Sequence, residues 1–162
     1  MHNIHVVVNS FAGKYTSDKI AELEARLRTQ RLSSNIYAPD SKDRLTECVE
    51  KLNADHNDDI IAIAGGDGTL NAAIQKLNNK NILAVIPFGT VNLIAMELGI
   101  NSIQEAVQRI TRGSNRYFSV GCADSGSHTN YFISMFGAGF DADVVYNVDI
   151  DFKKKHGTLA YI

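Results

Sequence analysis

Apolar residues come in short blocks stopped by small or polar residues, and between the blocks they recur at three- and four-residue spacing. Ile4 to Val8, Ser34 to Ala38, Ile60 to Ala64 and Ile82 to Ile86 read as strands, the near-continuous apolar runs suiting a sheet buried on both faces. The intervening periodic stretches read as helices. One carries Ile20, Leu23 and Leu27 behind Ser17 or Asp18, and a second carries Leu45, Cys48, Val49 and Leu52 behind Ser41. A third starts near Thr69 and carries Leu70, Ala73, Ile74 and Leu77. Two more run from Asn92 to Leu98, closed by Gly99, and from Ser102 through Ile103, Ala106, Val107 and Ile110, closed by Gly113. Strand–helix alternation of this kind predicts an α/β fold, a parallel sheet with helices on both faces. After Gly113 the period changes: Arg116 to Ala123 and Tyr131 to Phe136 are β-rich, and Asp124 to His128 between them reads as a hairpin loop. A second glycine turn, Gly137 to Asp141, precedes a helix expected through Val144, Val145 and Val148. The expected division is an α/β domain over 1–113 and the start of a β-rich second lobe over 114–162.

Ligands of parallel α/β sheets bind at the carboxyl ends of the strands. Three strands here end in small, polar turns: Asn9 to Gly13, Gly65 to Thr69 and Gly89 to Asn92. The central one, Gly65-Gly66-Asp67-Gly68-Thr69, joins a buried strand to a helix N-terminus, where free amides and the helix dipole favour phosphate. Known phosphate loops do not account for it. No lysine lies between Asp59 and Gln75, as a P-loop would require, and Asn71 stands where a dinucleotide fingerprint needs a third small residue. Asp67 puts an acid inside an anion-binding turn. It either caps the helix that follows or organises a metal ion or the phosphate-binding amides, and the two roles are compatible.

Composition narrows the class. The 44% hydrophobic content of the 162 residues is enough for a real core, and a net charge of −2 gives no electrostatic footprint for nucleic acid. Cys48 and Cys122 are too few for a disulfide framework, which sets a reducing, cytoplasmic location as the expectation. No apolar run approaches the roughly 18 residues of a membrane span. Lys153 to Lys155 read as a solvated helix end, a minimal patch for anionic lipid.

The Gly65–Thr69 pentapeptide resembles the nucleotide loop of the diacylglycerol kinase catalytic domain superfamily, which includes sphingosine, ceramide and bacterial lipid kinases; related loops occur in NAD kinases and phosphofructokinases. Other segments resemble the lipid-kinase branch along the whole chain. Asn9 with Gly13 resembles its Asn-Pro-x-Ser-Gly turn, with Ser10 and Ala12 replacing the proline and serine. Pro87, Gly89, Thr90 and Asn92 resemble Pro-x-Gly-Thr-x-Asn-Asp, with Leu93 replacing the final acid. Gly137, Gly139 and Asp141 resemble the turn entering the second lobe, whereas Ala38-Pro39 stands where a nucleotide-contacting threonine is often found. The resemblance implies a Rossmann-like nucleotide domain and transfer of the γ-phosphate of ATP, with Mg²⁺, to the hydroxyl of a diacylglycerol-like lipid, with peripheral membrane contact. It implies that Asp67 is the catalytic and metal-organising residue. It also implies nucleotide contacts from Asn9, Gly65, Gly66, Asp67, Gly68, Thr69, Leu70, Asn71, Thr90 and Asn92. NAD kinase and a non-catalytic nucleotide-binding remnant are the alternatives. The chain then corresponds to the N-terminal half of such an enzyme, with the general base and lipid pocket expected beyond Ile162. Strand edges and apolar residues left uncovered in the second lobe, Tyr131, Ile133, Met135 and Phe136, make a homodimer an expectation.

Overall fold

Residues 4 to 8 are all apolar or aromatic-ring side chains, and all five are buried, so β1 (Ile4–Val8) can only sit inside a sheet covered on both faces. The computed structural model describes residues 2–11, 15–78, 80–139, 142–143 and 147. β2 (Ser34–Tyr37), β3 (Ile60–Gly65) and β4 (Ile82–Pro87) join β1 in a parallel sheet of order β2-β1-β3-β4. Ile4 pairs with Ser34 on one side and Ile60 on the other, and Ile60 pairs in turn with Ile82.

The connecting helices are α1 (Ser17–Thr29), α2 (Lys42–Asp55), α3 (Asp67–Ile74), α4 (Leu93–Glu97) and α5 (Ile103–Arg112). α1 packs with α5 and α2 with α3, as expected when right-handed crossovers run in opposite directions from β1 and place one pair of helices on each face. Caps fall where side-chain chemistry puts them, with one shift. Ser41 and Ser102 accept from Arg44 N and Glu105 N as expected, whereas α1 is capped by Thr16, one residue before Ser17. Gly113, with φ 64°, closes α5. The core is one cluster through the sheet, with Val6, Val7, Val8, Ile61, Ile63 and Ile86 fully buried among Leu23, Leu27, Leu45, Val49 and Leu70.

The β-rich tail is shorter than expected. Its strands are β5 (Gly121–Asp124) and β6 (Thr129–Phe132), an antiparallel hairpin around the predicted loop; residues 116–120 form no strand. The hairpin is tied to the α/β layer by α3. Gln75 Nε2 donates to Tyr131 O (2.6 Å), Gln75 Oε1 accepts from Tyr131 N (3.0 Å), and Asn71 Oδ1 accepts from Ile133 N (3.3 Å). Helix side chains thus satisfy one edge of β6 as a neighbouring strand would. This docking buries Ile133, which corrects its expected exposure; Tyr131, Met135 and Phe136 remain exposed. Gly139 has φ 72°, and its carbonyl accepts from Asp143 N. The rest of the expected helix (Val144, Val145, Val148), the lysines at 153–155 and the apolar end at 159–162 lie outside the described residues, as do Gly13 and Asp141.

Candidate functional site

The chain goes from β1 outward to β2, then crosses back to β3 on the other side of β1, so the winding direction reverses between β1 and β3. Adjacent helices splay apart at such a point and leave a crevice at the carboxyl ends of the strands. Asn9 stands at the end of β1, Gly66 at the end of β3, and Phe88 to Asn92 follow β4 next door. The three turns singled out in the sequence are therefore neighbours in space.

Contacts between them are close and specific. Asn9 Nδ2 donates to the buried Thr69 hydroxyl (2.8 Å), and Asn9 N donates to Ala64 O (2.9 Å), which fasten the first turn to the second. The second and third turns meet backbone to backbone: a Cβ on Gly89 would lie 2.5 Å from Gly66 Cα, and one on Gly66 would lie 3.2 Å from Gly89 Cα. A side chain at either position would force the turns apart. A Cβ on Gly65 would strike the Thr69 side chain at 2.6 Å. Asn92, in the left-handed region (φ 55°), brackets its own turn by accepting from Gly89 N (2.9 Å) and donating to Gly89 O (3.0 Å). Asparagine tolerates this backbone because its short polar side chain bonds locally.

Asp67 has a role that the sequence reading did not foresee. The N-cap of α3 is Gly66, and Asp67 is the first helical residue. Its two carboxylate oxygens accept from Leu93 N (3.0 Å) and Ile94 N (3.1 Å), so it caps the neighbouring α4 and not its own helix. An acid at the dipole-positive ends of two helices is doubly favoured. The amides of Thr69 and Leu70 turn back onto Gly66 O (2.9 and 3.1 Å). Among the described residues, the amides of Gly66, Asp67 and Gly68 have no protein acceptor and remain open to a ligand. Thr90 is exposed at the rim, and the Asn71 carboxamide faces β6.

Two further groups belong to this region. Among the described residues, buried Asn9 Oδ1 has no hydrogen-bond partner, and a ligand donor would complete it. Lys19, from the first turn of α1, donates to Phe88 O (3.4 Å) and stands 5.4 Å from the centre of the Phe88 ring, which places an ammonium against the third turn. Nothing in the sequence marks Lys19, because the turn it meets lies far along the chain. Ser10 Oγ donates to Pro39 O (2.6 Å), so the first turn is also pinned to the end of β2.

The diacylglycerol kinase catalytic domain profile matches residues 3–123, which span the parallel sheet, all three turns and most of β5. The chain belongs to this family. A diacylglycerol kinase of Bacillus subtilis is 36% identical over 64% of the chain, and one of Staphylococcus saprophyticus is 28% identical over 96% of it. The chain spans 34% and 51% of those two proteins, roughly a third to a half of their length. A diacylglycerol kinase crystal structure from Bacillus anthracis shares the fold, with a TM-score of 0.68 over 81% of this chain and 45% of that one at 23% identity. No described helix is long and apolar enough to cross a membrane.

A separate constellation lies at the opposite, amino ends of the strands. His5 in β1 and His56, which ends α2, both direct a ring nitrogen at Asp59 Oδ2, His5 Nε2 at 3.2 Å and His56 Nδ1 at 3.5 Å. The two rings lie 4.2 Å apart, and Tyr37 Oη is 3.5 Å from His5 Nδ1. Burial pushes the Asp59 carboxyl up, but hydrogen bonds from Asn3 N, His5 and the Asn3 side chain together hold it below the ordinary range. With β3 running its full length between them, this cluster is not part of the phosphate-binding turns.

Proposed function

We propose that the chain is the nucleotide-binding half of an ATP-dependent lipid kinase, which transfers the γ-phosphate of ATP to the hydroxyl of a diacylglycerol-like lipid. Residues 1–113 bind the nucleotide, and residues 114–162 open the second lobe. The observation that carries this reading is the Gly66–Gly89 contact beside the winding reversal. It brings the open amides of Gly66, Asp67 and Gly68 together with the turn through Thr90 on one crevice.

Phosphoryl transfer relies mainly on positioning and on electrostatic stabilisation of the spreading charge. The Gly66–Gly68 amides would hold phosphate oxygens at a dipole-positive helix end, and Lys19 would balance their charge. Gly66 and Gly89 let the backbones close and Gly65 makes room for the Thr69 side chain, while the Thr69 and Leu70 amides hold the turn rigid through Gly66 O. Asn9 Oδ1 and Thr90 would meet the nucleotide's donors and acceptors; Asn71 and Asn92 would act indirectly, by holding β6 and the third turn. Asp67 keeps the turns aligned through Leu93 and Ile94, and each of its oxygens, accepting one hydrogen bond, retains a lone pair. The residues therefore fit a Mg²⁺-nucleotide, and Mg²⁺ would supply charge neutralisation between the phosphates, with Asp67 as the acid nearest to it. Among the described residues no group stands at these turns as a base for the lipid hydroxyl, and His128 is exposed in the hairpin loop.

Calorimetric titration of the full chain with ATP·Mg²⁺ tests the reading. Saturable binding that Gly66→Val abolishes is expected, with no phosphorylation of diacylglycerol or NAD by this chain alone. Absence of ATP·Mg²⁺ binding, or unchanged binding by Gly66→Val, would sink it.

A further inference from the structure

We propose that His5, His56 and Asp59 form a binding site for a late first-row divalent cation of the Zn²⁺ class, distinct from any Mg²⁺ that accompanies a nucleotide. Two neutral imidazoles and one carboxylate are a common three-ligand set for Zn²⁺, with water or a further group as the fourth ligand. A tetrahedron with bonds of about 2.0–2.1 Å has edges of about 3.3–3.4 Å. Two ligand–ligand separations already match that edge, at 3.2 and 3.5 Å, and all three donor atoms lie within 4.8 Å of one another. The largest gap closes by movement of His56, the most accessible member, with a side chain 39% exposed.

The partners behind the ligands suit the role. Asn3 N donates to Asp59 Oδ1 (2.9 Å) and the Asn3 carboxamide straddles both oxygens (3.5 and 3.4 Å), which orients the carboxylate with Oδ2 toward the two rings. His5 is only 2% exposed; its Nε2–H donates to the Asp59 carboxylate, and a shift of that proton to Nδ1, 3.5 Å from Tyr37 Oη, would free Nε2 to ligate. Asp58, with φ 65°, reverses the chain between His56 and Asp59 so that both face β1. A groove of about 360 Å³, lined by Tyr37, Cys48, Leu52, Asp55 and His56 among others, opens to solvent beside the His56 ring. Imidazole ligands select against Mg²⁺, which prefers oxygen donors and its own water. Bound here, the ion would staple the end of α2 and the start of β3 to β1.

The test uses the full chain, stripped with chelator and then titrated with Zn²⁺ and with Co²⁺ as a visible probe. The expected result is saturable Zn²⁺ binding unaffected by excess Mg²⁺, the intense visible absorption of tetrahedral Co²⁺, and a rise in Tm with Zn²⁺. His56→Ala, at an accessible position, should fold and lose at least about tenfold in affinity together with the Tm rise. Asp59→Asn gives an independent second variant, and His128→Ala and Cys122→Ser should change nothing. Zn²⁺ affinity unchanged in both His56→Ala and Asp59→Asn, a Co²⁺ spectrum without tetrahedral bands, or loss of binding in a control variant would overturn the site. None of these readouts depends on the kinase reading, and failure of nucleotide binding would leave them untouched.

Discussion

At the scale of single residues, Asp67 shows how a side chain can serve a turn that lies far from it in sequence. As a cap on its own helix it would tolerate asparagine, since asparagine is a good N-cap. As the acceptor for two amides of α4 it does not, because one asparagine oxygen replaces two and the NH₂ group then faces an N–H donor. Asp67→Asn is therefore expected to cost about 1–3 kcal/mol, the scale of leaving a donor unsatisfied, and to weaken ATP·Mg²⁺ binding as the turns lose alignment. Urea unfolding and nucleotide titration on the same protein check this; unchanged values in both would reduce Asp67 to an ordinary first-turn acid. Thr69→Val removes the acceptor of Asn9 Nδ2 at a site only 8% exposed, while keeping size and β-branching. A loss of about 1–3 kcal/mol is expected there too.

At the scale of elements, two glycines of the second and third turns make opposite predictions. Gly89→Ala places a methyl 2.5 Å from Gly66 Cα, against backbone that cannot swing aside, and should destabilise the fold and abolish nucleotide binding together. Gly68 is exposed, lies inside α3, and a Cβ there would meet nothing within 4 Å. Gly68→Ala should raise stability by up to about 1 kcal/mol through helix propensity, yet lower ATP affinity by crowding the open amides. Thermal melting paired with calorimetry separates the two glycines; parallel effects would contradict the assigned geometry. Gln75 belongs to this scale as well, because one side chain supplies both a donor and an acceptor to Tyr131 of β6. Gln75→Ala should speed amide exchange in β5 and β6 while leaving β1 and β3 protected, as expected of a hairpin held mainly from one edge.

At the scale of the molecule, a well-filled parallel core carries a thin two-stranded appendage. Two strands are rarely stable without a covering layer, and here α3 covers one edge of the pair. Tyr131, Met135 and Phe136 remain 45%, 74% and 60% exposed. We predict concentration-dependent association through this surface; a clean monomer by light scattering at high concentration would refute it, and charged substitution of Phe136 should reduce association if the surface is right.

Periodicity by itself determined the order and type of the elements of the α/β layer. A buried strand must be apolar throughout and a covering helix must show one apolar stripe, whatever else the chain does. Spacing also marked Gly65 to Asn71 and Gly89 to Asn92, because a tight turn leaves its glycines in the sequence. Element boundaries moved by one to three residues, as at Thr16, which caps α1, and at Ile74, where α3 ends short of the expected Leu77. What only the tertiary structure decided was pairing. That Asp67 caps α4, that Lys19 stands at Phe88, that Asn71 and Gln75 hold β6 and that His5 meets His56 and Asp59 all depend on the order β2-β1-β3-β4. That order brings together groups tens of residues apart. Local composition carries no trace of such contacts, since a histidine in a strand or an acid in a turn satisfies its own element equally well with many different partners.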